Sequence, residues 1–92
     1  MSESQNAAPV LAISGNYAVV HIVGRRYPAL AIQGDSLKIL QGVIRDLSDS
    51  LESGDLGEAK FTLEEIESTV SSMTSLYEEA SRRVGFELPY GD

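Results

Sequence analysis

The chain has 92 residues, a formal net charge of −7, 42% apolar residues and no cysteine. This length and apolar fraction are typical of one small globular domain and exclude a disordered chain. The absence of cysteine excludes a disulfide framework, a thiolate metal site and a cysteine nucleophile. The negative charge argues against two classes of anionic partner, nucleic acid and anionic membranes.

Acidic and basic residues are unevenly divided along the chain. Residues 1–45 contain two acids and four bases, whereas residues 46–92 contain twelve acids and three bases. An acidic half of a small protein attracts basic surfaces and accelerates its association with them. The division therefore favours a protein partner with a basic surface.

Residues 1–8 are predicted to form a disordered leader, because their side chains offer nothing to bury. They lack the basic and apolar segments of a signal peptide, and no apolar run in the chain approaches the ~20 residues of a membrane span. We therefore expect residues 9–92 to form a single domain located in the cytoplasm.

Three short runs rich in β-branched and apolar residues predict an antiparallel β-meander. The expected strands are residues 10–14, 17–23 and 29–33. Gly15-Asn16 has the composition of a two-residue hairpin turn. The segment Tyr17–Val23 is apolar on both faces, so one face of the sheet needs the C-terminal tail, a second copy or a partner to cover it.

The hydrophobic period changes at Gly34 and predicts a first helix over residues 36–53. Asp35 or Ser36 is placed to cap the N-terminus of this helix, and Gly54 is placed to end it. Apolar residues follow at spacings of three and four and predict one buried stripe: Leu37, Leu40, Val43, Ile44, Leu47 and Leu51.

A second helix is predicted over residues 62–84. Thr62 and Glu65 have the T-x-x-E spacing of a capping box, with Phe61 before it as part of a hydrophobic staple. Residues 55–60 are accordingly expected to form a loop, and Gly85 is placed to end the helix. The apolar tail segment 88–90 is expected to dock on the body of the protein.

These elements predict the α+β class, with a three-stranded antiparallel β-meander followed by an antiparallel two-helix hairpin packed on one sheet face. No internal repeat or linker interrupts the order.

Acidic residues around the first helix form one candidate partner-binding surface. Asp46, Asp49 and Glu52 are three residues apart and follow one helix face, and Asp55 follows in the predicted loop. Like charges at this spacing oppose helix stability, so stability alone would have placed lysines among them. The alternative is a solvated face that only keeps the protein soluble. A calcium site is disfavoured because the D-x-D-x-D-G spacing is absent.

The turn after the second strand forms the other candidate surface. Arg25 and Arg26 lie at a hairpin tip, and Tyr27 beside them is a candidate aromatic anchor for a partner. The alternative is two arginines that are solvated or paired with nearby carboxylates. Two arginines in a chain of this net charge do not make a nucleic-acid surface.

The remaining polar residues predict neither catalysis nor a bound cofactor. His21 has no second histidine with which to hold a metal and is expected to be half-buried and structural. The loop at residues 33–36 lacks the second glycine and the lysine of a phosphate-binding loop, so helix capping is its interpretation. The hydroxyls of the second helix have no base nearby in sequence. We expect no enzyme activity, no cofactor and no metal.

Two motifs carry a resemblance to a known family. An N-Y-A-V run at residues 16–19 precedes a G-R-x-x-P motif at residues 24–28 and the more specific Q-G-D-S-L motif at residues 33–37. Together they resemble a bacterial family of small uncharacterised proteins, over roughly residues 15–44. Such families are similar in size and acidity to the immunity proteins encoded beside secreted bacterial toxins. The resemblance implies a binding role and supplies no catalytic residues.

Three hypotheses follow for the function. The first is an immunity-type inhibitor that binds and blocks a cognate bacterial toxin domain. The alternative is a structural or regulatory homodimer with no toxin partner, which buries its exposed sheet face against a second copy. A small-molecule sensor or enzyme subunit is disfavoured, because a body this small leaves little room for a pocket of ~300 Å³.

Overall fold

A computed structural model describes residues 8–91. It contains β1 (Val10–Ser14), β2 (Tyr17–Val20), β3 (Ala29–Ile32), α1 (Gly34–Ser53) and α2 (Leu56–Val84). The α+β class and the order of elements are confirmed. The predicted leader lies outside the described residues, apart from Ala8.

The chain divides into two compact units. The sheet unit contains the three strands, the part of α2 from Met73 onward and the C-terminal tail. The hairpin unit, residues 33–72, contains α1 and the first part of α2. The single domain expected over residues 9–92 stays a prediction.

The sheet has the predicted antiparallel order β1-β2-β3. Ser14 pairs with Tyr17 across a two-residue turn, in which Gly15 adopts a left-handed φ of 57°. The second strand is three residues shorter than predicted and ends at Val20. The His21 N–H still donates to the Pro9 carbonyl at 3.0 Å, but the carbonyl of Ile22 then accepts the Arg25 N–H and closes a turn. The apolar residues after Val20 therefore leave the sheet.

A β-bulge interrupts the pairing of β1 with β2. Val10 pairs with Val20 and Ala12 with Val19, so Leu11 is the extra residue on β1. The Arg83 guanidinium near the end of α2 donates a 3.1 Å hydrogen bond to the Leu11 carbonyl. This hydrogen bond joins the end of α2 to the bulge.

The core of the sheet unit combines residues from the sheet, α2 and the tail. Val19 is fully buried at the centre of β2, and Ala80 and Ser81 are almost fully buried on α2. Leu88 is buried as well, which confirms that the tail docks on the body. Because these side chains are small or medium in size, the unit relies on close approach of its elements more than on a large apolar core.

The first helix begins two residues earlier than predicted. Gln33 occupies the N-cap without a side-chain hydrogen bond, and its carbonyl accepts the Leu37 N–H at 3.0 Å. Asp35 and Ser36 are therefore not the N-cap but lie within the first turn, where the Asp35 carboxylate accepts the Ser36 N–H at 2.7 Å. Gly54 ends α1 as predicted, with a left-handed φ of 78°.

The second helix begins six residues earlier than predicted. The predictions of a capping box at Thr62 and of a loop at residues 55–60 are therefore wrong. The cap is Asp55, whose carboxylate accepts the Glu58 N–H at 3.1 Å and whose carbonyl accepts the Ala59 N–H at 3.0 Å. Thr62 lies inside the helix and is buried, while Phe61 is 64% exposed and makes no staple. Another pair with capping-box spacing, Asp55 and Glu58 in a D-x-x-E pattern, lies at the observed start of α2.

The end of α2 agrees with the sequence prediction. Gly85 has a left-handed φ of 94°, and the Phe86 N–H donates to the Ser81 carbonyl at 2.8 Å. The Phe86 ring then packs against the His21 ring, with 4.7 Å between the ring centroids. His21 is half-buried, as predicted.

Candidate protein-binding surfaces

The acidic residues of α1 are freely presented to solvent. Asp46, Asp49 and Glu52 are all exposed, at the spacing of three that the sequence indicated. Among residues 8–91 no side-chain hydrogen bond or ion pair engages these three carboxylates. A carboxylate without an internal partner keeps its full capacity to pair with a basic group on another molecule.

Asp55 differs from the other three acidic residues because its side chain has a structural role, which is to cap α2. Its carboxylate caps α2 through the hydrogen bond to the Glu58 N–H, and the side chain remains exposed. An acidic group at a helix N-terminus is also favoured by the helix dipole. The structure thus supplies a reason for an acid at this position, while a role for Asp55 in partner binding stays a prediction.

The turn at residues 24–28 is organised by contacts within the sheet unit. The Arg26 guanidinium lies 5.3 Å from the centroid of the Tyr27 ring and 3.8 Å from the Glu87 carboxylate. The side chains of this ion pair are 76% and 82% exposed, so it contributes about 0–1 kcal/mol to stability. A pair this weak leaves Arg26 available to a partner.

Two further contacts hold the same turn. The Nε2 atom of His21 lies 2.8 Å from the Arg25 carbonyl, and because a carbonyl only accepts, Nε2 carries the proton. Tyr27 is half-buried and precedes the buried Pro28, so its ring is partly committed to the body of the protein. Arg25 and Arg26 are exposed.

The candidate residues form two separate groups. Arg25, Arg26 and Tyr27 belong to the sheet unit, whereas Asp46, Asp49, Glu52 and Asp55 belong to the hairpin unit. Each group is assembled within its own unit.

The hairpin unit carries an exposed apolar surface that was not predicted from the sequence. Only part of the stripe predicted to be buried on α1 is covered: Leu40, Val43 and Leu47 are half-buried, and no residue of α1 is fully buried. The other members of the stripe remain 49–56% exposed: Leu37, Ile44 and Leu51. Leu37, Leu40 and Ile44 line an open groove of about 410 Å³.

The first part of α2 repeats this arrangement. Ala59 and Thr62 are buried and Ile66 is half-buried. A second set of apolar residues on α2 is 44–70% exposed: Leu56, Leu63 and Val70. The exposed residues are seven apart in both helices. This spacing is visible in the sequence and is the signal that could have identified the surface.

The outer face of the sheet is also apolar and exposed. The register of the strands places Ile13, Ala18 and Ala31 on the face opposite to buried Val19. Ile13 is 70% exposed and Ala31 is exposed too. Among the described residues the docked tail does not cover these two side chains, whereas Ala18 and Val20, the β2 residues on the same face, are half-buried.

A second open groove, of about 520 Å³, lies beside the tail and is lined by Arg82, Phe86 and Leu88, among others. The two grooves are larger than the sequence analysis expected for a body of this size. Within residues 8–91 no group of three or more histidine, aspartate or glutamate side chains is placed to hold a metal ion.

Two tyrosines on or near α2 have perturbed acidity for structural reasons. Burial raises the pKa of Tyr77, whose hydroxyl donates to the Pro28 carbonyl at 2.7 Å. The hydrogen bond from the Tyr90 hydroxyl to the Glu78 carboxylate, 2.7 Å long, raises the pKa of Tyr90 to about 12. Both groups stay protonated at neutral pH and hold elements together.

Residues 3–90 match the model of a family of unknown function, DUF6959. The chain belongs to this family. Membership covers most of the chain and agrees with the resemblance to an uncharacterised family noted from the G-R-x-x-P and Q-G-D-S-L motifs. Comparisons with curated proteins and with solved structures gave no match. No helix among the described residues has the length and apolar character needed to cross a membrane.

Proposed function

We propose that this DUF6959 protein is a small acidic inhibitor of the immunity type, which binds a cognate bacterial toxin domain in the cytoplasm and blocks it. The observation that carries the proposal is the set of exposed α1 carboxylates without internal partners: Asp46, Asp49 and Glu52. They lie in the half of the chain that contains twelve acids and three bases.

Electrostatics supports a protein target with a basic cleft. Nucleases and nucleotide-using toxins bind anionic substrates, so their active sites carry positive charge. An acidic helix competes for the same cleft and accelerates association through long-range attraction. Blocking of this kind needs shape and charge on the inhibitor and no bond-forming chemistry.

The turn at residues 24–28 is the second contact of the proposed inhibitor. Arg25 and Arg26 supply directional hydrogen-bond donors, and the exposed part of Tyr27 supplies apolar area. A turn held by the His21 contact reaches a partner with little loss of conformational freedom.

A structural or regulatory homodimer without a toxin partner is the second candidate function. The exposed outer sheet face favours it, since Ile13 and Ala31 offer apolar surface that a second copy could bury. In that case the protein self-associates through the sheet face, Ile13→Glu disrupts the association, and no toxin domain is bound.

A search for a secreted-toxin reading frame beside the gene is the first test, and a gene neighbourhood without one would contradict the proposal. Binding kinetics with the toxin domain of such a reading frame are the second test. We expect the association rate to fall markedly as ionic strength rises through about 0.15 M, where the screening length reaches ~8 Å. Asp46→Lys with Asp49→Lys should lower the association rate and weaken binding. The matched control, Glu65→Lys with Glu79→Lys on α2, makes the same change in net charge at other exposed positions.

The turn is tested in parallel by Arg25→Ala combined with Tyr27→Ala. If this pair abolishes binding while the two α1 reversals leave affinity and salt dependence unchanged, the acidic face is only a solvated surface. Equal effects of the α1 reversals and their α2 control would likewise contradict a specific role for α1.

A further inference from the structure

Two rows of exposed apolar residues, one on each helix, lie on one side of the hairpin. On α1, Ile44 is three residues before the half-buried Leu47; on α2, Leu63 is three residues before the half-buried Ile66. The step of three residues towards the N-terminus is the same in both helices. Each exposed row is therefore turned about its own helix axis by the same angle, and in the same direction relative to the chain, from the half-buried residue. Because the helices run in opposite directions, the two rows then face the same side of the pair. We call them the hairpin apolar face: Leu37, Ile44, Leu51, Leu56, Leu63 and Val70.

A face of this kind needs a cover. Soluble monomers rarely expose contiguous apolar patches of more than a few hundred Å². Six large apolar side chains at seven-residue spacing, each 44–70% exposed, have the pattern of the inner rows of a helical bundle.

The charges along the two edges of the hairpin apolar face indicate which molecule packs against it. The outer edge of α1 carries Lys38, Arg45 and Glu52, and the outer edge of α2 carries Lys60, Glu64 and Glu67. All six side chains are exposed.

Of these charged residues, Arg45 and Glu64 stand at the same height on the two edges. Arg45 lies eight residues before Ser53 at the end of α1, and Glu64 lies eight residues after Leu56 at the start of α2. When a second copy is turned by a two-fold axis parallel to the helices, α1 of one copy lies against α2 of the other at the same height. Arg45 then faces Glu64 of the other copy.

We propose that the hairpin apolar face is the interface of a homodimer, in which two hairpins form a four-helix bundle with α1 of each copy against α2 of the other. The alternative two-fold arrangement, with α1 antiparallel to α1 of the other copy, would place Arg45 opposite Arg45 of the other copy and is disfavoured. The inference rests on residues 33–72 and does not depend on the proposed toxin partner. It differs from a dimer through the outer sheet face in the residues that become buried.

Light scattering of the full chain over a range of concentrations tests this proposal. We expect a dimer of twice the 9.9 kDa chain mass. Ile44→Glu should raise the dimer dissociation constant by at least about tenfold, because it places a charge at the centre of the face. Circular dichroism confirms that the variant is folded. Ile39→Glu is the matched control, since Ile39 is 66% exposed on the same helix but lies outside the face.

A charge swap tests the orientation without removing any apolar residue. Arg45→Glu alone and Glu64→Arg alone should each weaken the dimer several-fold, and the two together should restore it to within about twofold. Restoration supports α1 against α2. A dimer that these changes leave unaltered but that Ile13→Glu on the outer sheet face disrupts would overturn the proposal, and so would a wild-type chain that stays monomeric at every concentration.

Discussion

The Tyr77 hydroxyl on α2 donates a 2.7 Å hydrogen bond to the carbonyl of Pro28, the residue before β3. The two residues are 49 positions apart in sequence, and the contact joins the helix to the sheet within one unit. Pro28 is buried, so its carbonyl has little access to water when the hydroxyl is removed.

Removing this hydroxyl should destabilise the protein. We expect Tyr77→Phe to lower the free energy of unfolding by about 1–2 kcal/mol, because a buried acceptor loses its donor. Urea denaturation measures the change, and Tyr17→Phe serves as a control at a half-buried tyrosine of β2. Equal midpoints for the Tyr77 variant and the wild type would show that the hydrogen bond contributes nothing to stability.

The start of α2 gives a second prediction. Asp55→Ala should cost about 0.5–2 kcal/mol of stability, because the Glu58 N–H loses its acceptor. Asp55→Asn keeps an acceptor and should retain most of the stability, which separates capping from charge. Asp49→Ala at an exposed α1 position is the control for general charge effects and should change stability by less than about 0.5 kcal/mol. A denaturation midpoint for Asp55→Ala no lower than that of Asp49→Ala would contradict the cap.

Much of the fold is encoded in short-range patterns. Gly15-Asn16 set the hairpin between β1 and β2, and Gly54 and Gly85 end the helices through left-handed backbone that other residues rarely adopt. These signals act within four to six residues, so they are readable from sequence alone.

The start of α2 was mispredicted because two similar patterns compete. Asp55 to Glu58 and Thr62 to Glu65 both have the spacing of a capping box. The choice between them depends on what surrounds the second one. Thr62 is buried inside the folded hairpin unit, which is tertiary information that local spacing does not contain.

The sequence also did not predict that only part of the apolar stripe on α1 is covered, and the reason is related. Six apolar residues at helical spacing indicate a wide apolar arc, but the number of neighbours that cover it depends on the assembly. In the hairpin unit, Leu40 and Leu47 are partly covered while Leu37 and Ile44 remain exposed. The two candidate binding groups could be named from charge and turn position, whereas the cap role of Asp55 required coordinates.

The core of the sheet unit yields a third prediction. Val19 is fully buried, and Val19→Ala should cost about 1–3 kcal/mol through lost apolar burial and the cavity left behind. Val23→Ala, at a side chain that is 75% exposed, makes the same chemical change and should cost less than about 0.5 kcal/mol. Thermal or urea unfolding compares the two variants, and similar losses for both would mean that Val19 is not part of the core.

The tail contact should appear in the titration of Tyr90. Because the carboxylate of Glu78 raises the pKa of Tyr90 from 10.0 to about 12, the contact stabilises the folded state fully below pH 10 and is lost as the pH rises through about 12. Glu78→Gln should return the pKa of Tyr90 toward its ordinary value, whereas Glu79→Gln should not. NMR of ¹³C-labelled tyrosine rings follows each tyrosine separately. An ordinary pKa for Tyr90 in the wild type would show that the tail contact is not formed in solution.

Toxin neutralisation tests the central proposal of an acidic immunity-type inhibitor most directly. The measurement is the growth of cells that express a toxin domain from a reading frame found beside the gene, with the protein co-expressed at a matched level. We predict that the wild-type protein restores growth, that Asp46→Lys with Asp49→Lys loses this protection while remaining folded, and that Glu65→Lys with Glu79→Lys keeps it. Growth arrest that persists in the presence of the wild-type protein would contradict the proposal, as would full protection by the α1 reversal variant.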